Sequence, residues 1–465
     1  MMSALRLTGV VALTIVGLGA AYAAELPLAV GFSVGLGALI WSVLRCGVVS
    51  GHKALLRMMG EGVGHTKEVV WILLLVGLLI PTWTAGGVID YMVGAGLRLL
   101  DPAWIVTFGF VFASIVAMTL GTSTGTLSSV GIPLMGVAAH LGVPLPLMAG
   151  ALVSGAFVGD RTSPFSSAHQ LVASSAGVPE RSLFRLLQPT TYAAFGIALA
   201  VFATFDGVGA WGAGEEDLGV VYGSAAGGSW LLALPPALLL LAIMFRLRTR
   251  YAFVVGIVAG IAVGASLQGG TALQWIGWLW GGYASAEGSA DPGSAVSHGK
   301  GLAGMVELVV LIALAGAYNG IMEGAGIVRP IAARLLGKRP SLVGATARTG
   351  LFGLGLGLVS CTQTLPIMMT ARSLAAAWTE RFPREHLARV TADTSLLLAA
   401  LVPWNMIAVL CGTIVGVPVE RYAPYALFLW LPPLLTLAWS AWRGRRVRAV
   451  TIKDADPDEV FSGRG

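Results

Sequence analysis

Charge is scarce in this 465-residue chain, with Asp, Glu, Lys and Arg making up only 11% where soluble domains carry about 25%. With 56% hydrophobic residues, it leaves no room for a separate water-soluble domain. Cysteine is also rare. Cys46, Cys361 and Cys411 lie far apart, without CxxC or His-pair spacing, which excludes a disulfide framework and a Cys/His zinc site. They read as packing residues, since unbonded cysteine behaves as a small hydrophobe. No HExxH or paired Cys/His motif lies on any apolar run, so a metal-dependent membrane-embedded enzyme has no motif to stand on and no cofactor is expected. No aromatic-rich basic patch is present, so nucleic acid is excluded as a partner. The basic pI of about 9.4 instead reflects where Lys and Arg sit.

Long apolar runs are present throughout. Stretches of the ~17–25 residues needed to cross a hydrocarbon core recur from end to end, and 63 glycines suit close helix packing in lipid. The expected fold class is therefore an all-α polytopic membrane protein in the lipid bilayer. Candidate spans in the first half are 4–24, 27–45, 68–89, 104–140, 145–176 and 190–206. In the second half they are 229–245, 252–268, 303–323, 341–378, 386–416 and 421–442. Arg6, the apolar run and Ala21-Tyr-Ala23 imitate a cleavable signal peptide, but a first transmembrane helix is expected, because the repeat needs it.

The two halves share one order of elements: two spans, a polar or amphipathic stretch (His52–Thr66; Thr271–Trp280), a span, an interrupted segment, a broken span and a last span. Such amphipathic stretches can lie in the interface plane. Basic residues cluster in alternate loops, as cytoplasmic loops do: Arg45/Lys53/Arg57/Lys67, Arg181/Arg185, Arg246/Arg248/Arg250, Arg329/Arg334/Lys338/Arg339, Arg381/Arg384/Arg389 and Arg443/Arg445/Arg446/Arg448. The intervening loops are acidic or weakly charged. The alternation holds only if 104–140 and 341–378 are re-entrant hairpins. Each half then has five crossings plus one hairpin, and the odd number inverts the second half in the membrane, as in many alternating-access carriers. The expected division is a first inverted repeat 1–206, an outer linker 207–228, a second repeat 229–442 and a polar, disordered cytoplasmic tail 443–465. Both termini are expected to be cytoplasmic, in a bacterial inner membrane, with a homodimer a further expectation.

Within the apolar sequence, the polar residues gather at the breaks. Asp160 follows Ala151-Leu-Val-Ser-Gly-Ala-Phe-Val-Gly159, and Asp393 precedes Pro403-Trp-Asn405. A charge inside a bilayer segment costs roughly 2.5–3.5 kcal/mol on insertion scales. Non-helical backbone is tolerated there only where protein or a water-filled cavity covers it. Asp160 and Asp393 are thus the leading candidates to bind a proton or Na⁺; the alternative for each is a buried ion pair, with Arg161 the obvious partner. Burial raises a carboxylate pKa and a neighbouring Arg lowers it, so transport is expected to change steeply over about pH 6–8.5. Repeat-related breaks meet at one site, which places the two aspartates together near the midplane. The interruption tips add Thr122, Ser123, Thr124 and Thr126, and Thr362, Gln363 and Thr364. Their hydroxyl and carbonyl oxygens suit a hard cation, while half-helix N-termini favour an anion. They can equally satisfy each other across packed helices. Arg161 could neutralise an aspartate or bind a substrate carboxylate. Ser163 and Asn405 sit at the two breaks, where site and packing readings both remain open. Glu68, Glu307 and Glu323 read as interfacial, as do His65 and His140; His169 just after the first break is a candidate proton relay.

These residues resemble the NhaC-type Na⁺/H⁺ antiporters over most of the chain. The likeness rests on Gly77, Trp83 and Gly86-Gly87, on Gly121-Thr-Ser with Gly131-Ile, and on Ser154-Gly-Ala-Phe-Val-Gly-Asp-Arg-Thr-Ser-Pro164. It continues at Thr362-Gln363 and from Asp393 through Pro403-Trp-Asn405. The resemblance implies inverted repeats with paired re-entrant hairpins, and its wider group includes exchangers of malate and lactate and carriers of amino acids. In two places this chain departs from the family pattern: Ser167 and Ala392 stand where the family carries carboxylates. Weak Na⁺ affinity is the expectation, strengthened by Ser167→Asp. The expected function is a cation/proton antiporter working by alternating access. The alternative is an H⁺- or Na⁺-coupled carrier of a small organic acid or amino acid.

Overall fold

The computed structural model describes residues 4–47, 49, 51–209, 211, 229–245, 247–283, 301–326, 335–337, 341–360 and 362–453. Most of the expected linker lies outside these residues, as do the acidic loops around Glu215 and Glu287, the basic Arg246, Arg329, Arg334, Lys338 and Arg339, Cys361, and the tail beyond Lys453. Among the described residues every regular element is a helix. Seven are long and apolar enough to cross a membrane, or up to nine if each of two bent pairs counts as one span.

The first half runs α1 (Ala4–Ala23), α2 (Leu28–Arg45), α3 (His52–Ala85), α4 (Val88–Leu99), α5 (Ile105–Leu120), α6 (Ser123–Thr126), a π-helical turn (Leu127–Gly131), α7 (Ile132–His140), α8 (Leu145–Thr162), α9 (Ser167–Ala176) and α10 (Glu180–Gly209). The second runs α11 (Leu234–Met244), α12 (Thr249–Leu267), α13 (Ala272–Gly281), α14 (Val306–Gly324), α15 (Leu342–Ser360), α16 (Thr364–Thr379) and α17 (Arg384–Thr391). A π turn (Ala392–Leu396) and a 3₁₀ turn (Leu398–Leu401) follow, then α18 (Met406–Val415), α19 (Val419–Tyr422) and α20 (Leu427–Lys453).

The structure revises two local readings. His52–Thr66 is not a separate interfacial stretch: it runs into the following span as one 34-residue helix. No breaker separates the two, and Gly62 on its inner face lets it pack as part of the bundle. α20 continues through Arg443 to Lys453, beyond the point where the apolar sequence ends. The second amphipathic stretch is a short helix of its own, closed at its start by a Thr271/Gln274 capping box and burying only Trp275.

Glycines set the closest contacts. In lipid no hydrophobic drive pushes helices together, so small residues that let backbones approach supply the packing. A Cβ on Gly62 of α3 would sit 2.1 Å from the Gly316 carbonyl oxygen of α14, and one on Gly320 2.0 Å from that of Met58. Met305 lies against Gly77 at the other end, so α3 and α14 run antiparallel. Gly155 and Gly159 do the same for α8 on α5, where a Cβ on Gly159 would meet Ala117 at 2.3 Å. Met148 against Gly109 makes that pair parallel.

At Gly121 the chain reverses. Its φ of +70° suits glycine, and a Cβ would meet the Phe165 carbonyl carbon at 2.6 Å. Gly136 and Val93 pack together, as do Val137 and Gly96, which brings the end of α7 back beside the loop that enters α5. Between α15 and α16 the direction of the chain reverses. Ala345 clusters with Trp378, and Gly353 faces Thr370 and Ser395, so α16 returns along α15.

Candidate functional site

Residues 121–123 put a fresh helix N-terminus in the middle of the bundle. Thr122 is extended and its side chain accepts from Gly125 N–H at 3.4 Å, closing the first turn. Gly159 lets the end of α8 press against α5, and Asp160 then meets this N-terminus. The Ser123 N–H donates to its Oδ1 at 3.1 Å and the Ser123 hydroxyl to its Oδ2 at 2.5 Å. A carboxylate at a helix N-terminus is stabilised by unpaired N–H groups and the helix dipole. Asp160 is 6% exposed and makes no ion pair among the described residues.

The break after Asp160 is built from serines. Ser163 Oγ donates to Met118 O at 2.7 Å. Ser166 Oγ donates to Asp160 O at 2.8 Å and caps α9 by accepting from Ala168 and His169 N–H. The second break is tied in the same manner to the end of α15: Trp404 Nε1 donates to Leu358 O at 2.8 Å, and Asn405 Nδ2 to Gly357 O at 3.3 Å, while Asn405 Oδ1 caps α18 through Ile407 N–H.

A cavity of about 860 Å³ reaches Asp160. Of the residues singled out in the sequence, Asp160, Thr122, Ser123, Thr124, Thr362, Gln363 and Thr364 line it. Both interruption tips therefore meet in one space. Thr126, Ser163, Arg161, Asp393 and Asn405 do not line it. Thr126 hydrogen-bonds the Thr122 carbonyl at 2.8 Å.

Asp393 lies away from the cavity and is fully buried with Arg161. Arg161 Nη2 and Nε lie 2.5 and 2.7 Å from Asp393 Oδ1, and Thr436 Oγ1 donates to Oδ2. The other guanidinium contacts go to Thr190 Oγ1 at 2.7 Å and to Thr191 Oγ1. Every nitrogen of Arg161 is thus committed within the protein, and the pair joins the two halves at Arg161, the residue that follows Asp160. His169 Nδ1 lies 2.8 Å from Arg161 O and His169 does not line the cavity.

Several cavity residues were not read from the sequence as site residues. Asn319, Glu323, His65 and Arg248 all line it; Asn319 is buried and the other three are exposed. Asn319 and Glu323 belong to one polar string, Asn319-Gly-Ile-Met-Glu-Gly324, in an otherwise apolar helix, which was the available signal. Ser167, standing where the resembling family carries a carboxylate, also lines the cavity, whereas Ala392 is buried outside it. No cluster of three or more His, Cys, Asp or Glu suited to a resident metal occurs among the described residues.

The chain is 28% identical over 386 residues to the Na⁺/H⁺ antiporter NhaC of Alkalihalophilus pseudofirmus, covering 82% of this chain and 83% of that protein. It is 30% identical to the arginine/ornithine antiporter ArcD of Halobacterium salinarum, over 87% and 86% of the two chains. With the malate-2H⁺/Na⁺-lactate antiporter of Bacillus subtilis it shares 26% identity over 82% and 81%. The profile of the Na⁺/H⁺ antiporter family matches residues 184–442, more than half of the sequence, and the chain belongs to that family.

Proposed function

We propose that this integral membrane protein exchanges Na⁺ for H⁺ by alternating access, with Asp160 as the group on which ion and proton compete. One observation carries the reading: Asp160 is a buried carboxylate that lines a large cavity, is held by a helix N-terminus and two hydrogen bonds from Ser123, and has no basic partner among the described residues. It can therefore be neutralised only by what enters the cavity. Asp393, held by Arg161 and Thr436, acts in this reading as the clasp between the halves. Relatives that are named antiporters support transport rather than catalysis.

The packing also supports two inverted repeats, 1–206 and 229–442, joined by 207–228. α3 and α14, the third spans of the two halves, run antiparallel. In each half the first arm of an interrupted segment lies parallel to the broken span and is bonded to its break. The exchange between halves is reciprocal: α9 packs on α16, and α18 on the π turn and α7. We place the termini and the cavity mouth on the cytoplasmic side of a bacterial inner membrane, because His65 and Arg248 at the mouth sit among the basic loops.

A second reading, exchange of a small organic acid or amino acid, is favoured by a cavity far larger than a bare ion needs and by the substrates in the names of two relatives. Proton flux followed by fluorescence quenching in proteoliposomes separates the two. Na⁺ should drive proton movement, and Asp160→Asn should abolish it while the protein stays folded, since the amide keeps the shape and cannot titrate. Proton flux driven only by an organic solute would replace the first reading with the second.

A further inference from the structure

We propose that Asn319, Thr362 and Gln363 form a neutral oxygen site for the transported monovalent cation, distinct from the Asp160 carboxylate in the same cavity; this rests on the cation-exchange reading above. Asn319 sits on α14 between Gly316 and Gly320, the residues that lock this helix on α3, so its position is fixed by backbone contact. It is 9% exposed and lines the cavity. Its Nδ2 donates to Thr362 Oγ1 at 3.2 Å, and its Oδ1 has no hydrogen-bond partner. Buried amide oxygens are normally satisfied, and an exception calls for an explanation such as an ion.

Gln363 repeats the pattern. Its Nε2 donates to Leu396 O at 2.9 Å, which ties the nitrogen end into the protein while the side chain lines the cavity. Two amides are thus anchored by nitrogen beside the Thr362 hydroxyl, and the Asn319 oxygen is left without a partner. Carbonyl and hydroxyl oxygens are the ligands that hard cations take. Amide oxygens remain acceptors and do not titrate at working pH, so this cluster distinguishes a metal cation from a proton, which Asp160 alone does not. The cavity's titratable and charged groups are Asp160, Glu323, His65 and Arg248. None belongs to the cluster, so changing the cluster should move cation affinity and leave the proton dependence where it is.

Na⁺-driven proton flux in proteoliposomes, measured against Na⁺ concentration and against pH at saturating Na⁺, tests the site. Asn319→Ala should raise the half-saturating Na⁺ concentration about tenfold, the effect of one lost ligand, with the pH profile unchanged. Thr362→Val should act in the same direction, and Thr362→Ser should restore wild-type behaviour. Asn319→Asp, which keeps the shape and adds a charge, should lower the half-saturating concentration. A folded Asn319→Ala protein with wild-type Na⁺ dependence would overturn the site and leave the Asp160 reading standing. If Asn319→Ala does not fold, an unchanged half-saturation in Asn319→Asp overturns it instead. A wild-type protein that moves no Na⁺ at all would remove both.

Discussion

Asp160 and Asp393 carry the same side chain with different partners. Asp160 relies on a serine and a helix end; Asp393 relies on a guanidinium that is itself fully bonded. Removing one member of a buried ion pair leaves the other charge uncompensated, at a cost of about 3–5 kcal/mol. Asp393→Asn and Arg161→Ala should therefore lower the unfolding temperature in detergent sharply. The pair replacement Arg161→Met with Asp393→Leu should recover much of the loss, because apolar residues of similar volume often substitute for a buried pair. Asp160→Asn should leave that temperature nearly unchanged. Equal destabilisation by Asp160→Asn and Asp393→Asn would contradict this division of labour. The aspartates and the tip hydroxyls were legible as site candidates because a polar residue in an apolar run is conspicuous. Which aspartate is paired was not legible, since Arg161 stands next to Asp160 in sequence and reaches Asp393 in space. Asn319 was missed because its significance depends on Thr362, a neighbour that only the fold supplies.

Among the elements, the crossing of α3 and α14 has the least room. Gly320→Val forces side-chain atoms onto the Met58 carbonyl and should cost about 1–3 kcal/mol by overpacking. Gly64→Val, on the same helix as Gly62 but with nothing within 4 Å of an added Cβ, should shift the unfolding temperature little. Thermal unfolding of the two variants side by side checks the assignment, and equal effects would refute it. The helices themselves were readable from apolar run length and glycine content, as were the tip at Gly121 and the break at Pro403. The continuity of α3 was not, since Arg57, Glu61 and Lys67 look like an interfacial segment. On the helix Arg57 and Glu61 pair with each other at 2.8 Å along one exposed face, and the buried face carries Leu55, Gly62 and Thr66.

For the molecule as a whole, the cavity should admit reagents from one side only. Cysteine introduced at Glu323, at the cavity mouth, should react with a membrane-impermeant maleimide from the cytoplasmic side, and cysteine at Asp101 from the outside. Reaction of both from the same side would reject the orientation. At about 1.5 Å per residue, the 34 residues of α3 extend roughly 51 Å, well past a hydrocarbon core of about 30 Å, so its first turn, ahead of Met58 at the end of α14, should stand clear of the lipid on the cytoplasmic side. The Arg161–Asp393 clasp has a further consequence, for how the protein is made. Residues reach the translocon in order, so α8 enters the bilayer carrying an unneutralised arginine more than two hundred residues before its aspartate is synthesised. The newly inserted first half must wait, with Arg161 snorkelling or shielded by the insertion machinery, until α17 and the turn after it arrive. A ribosome stalled between the halves should therefore leave a product prone to membrane quality-control proteolysis, and supplying 229–465 as a separate polypeptide in the same cell should rescue it.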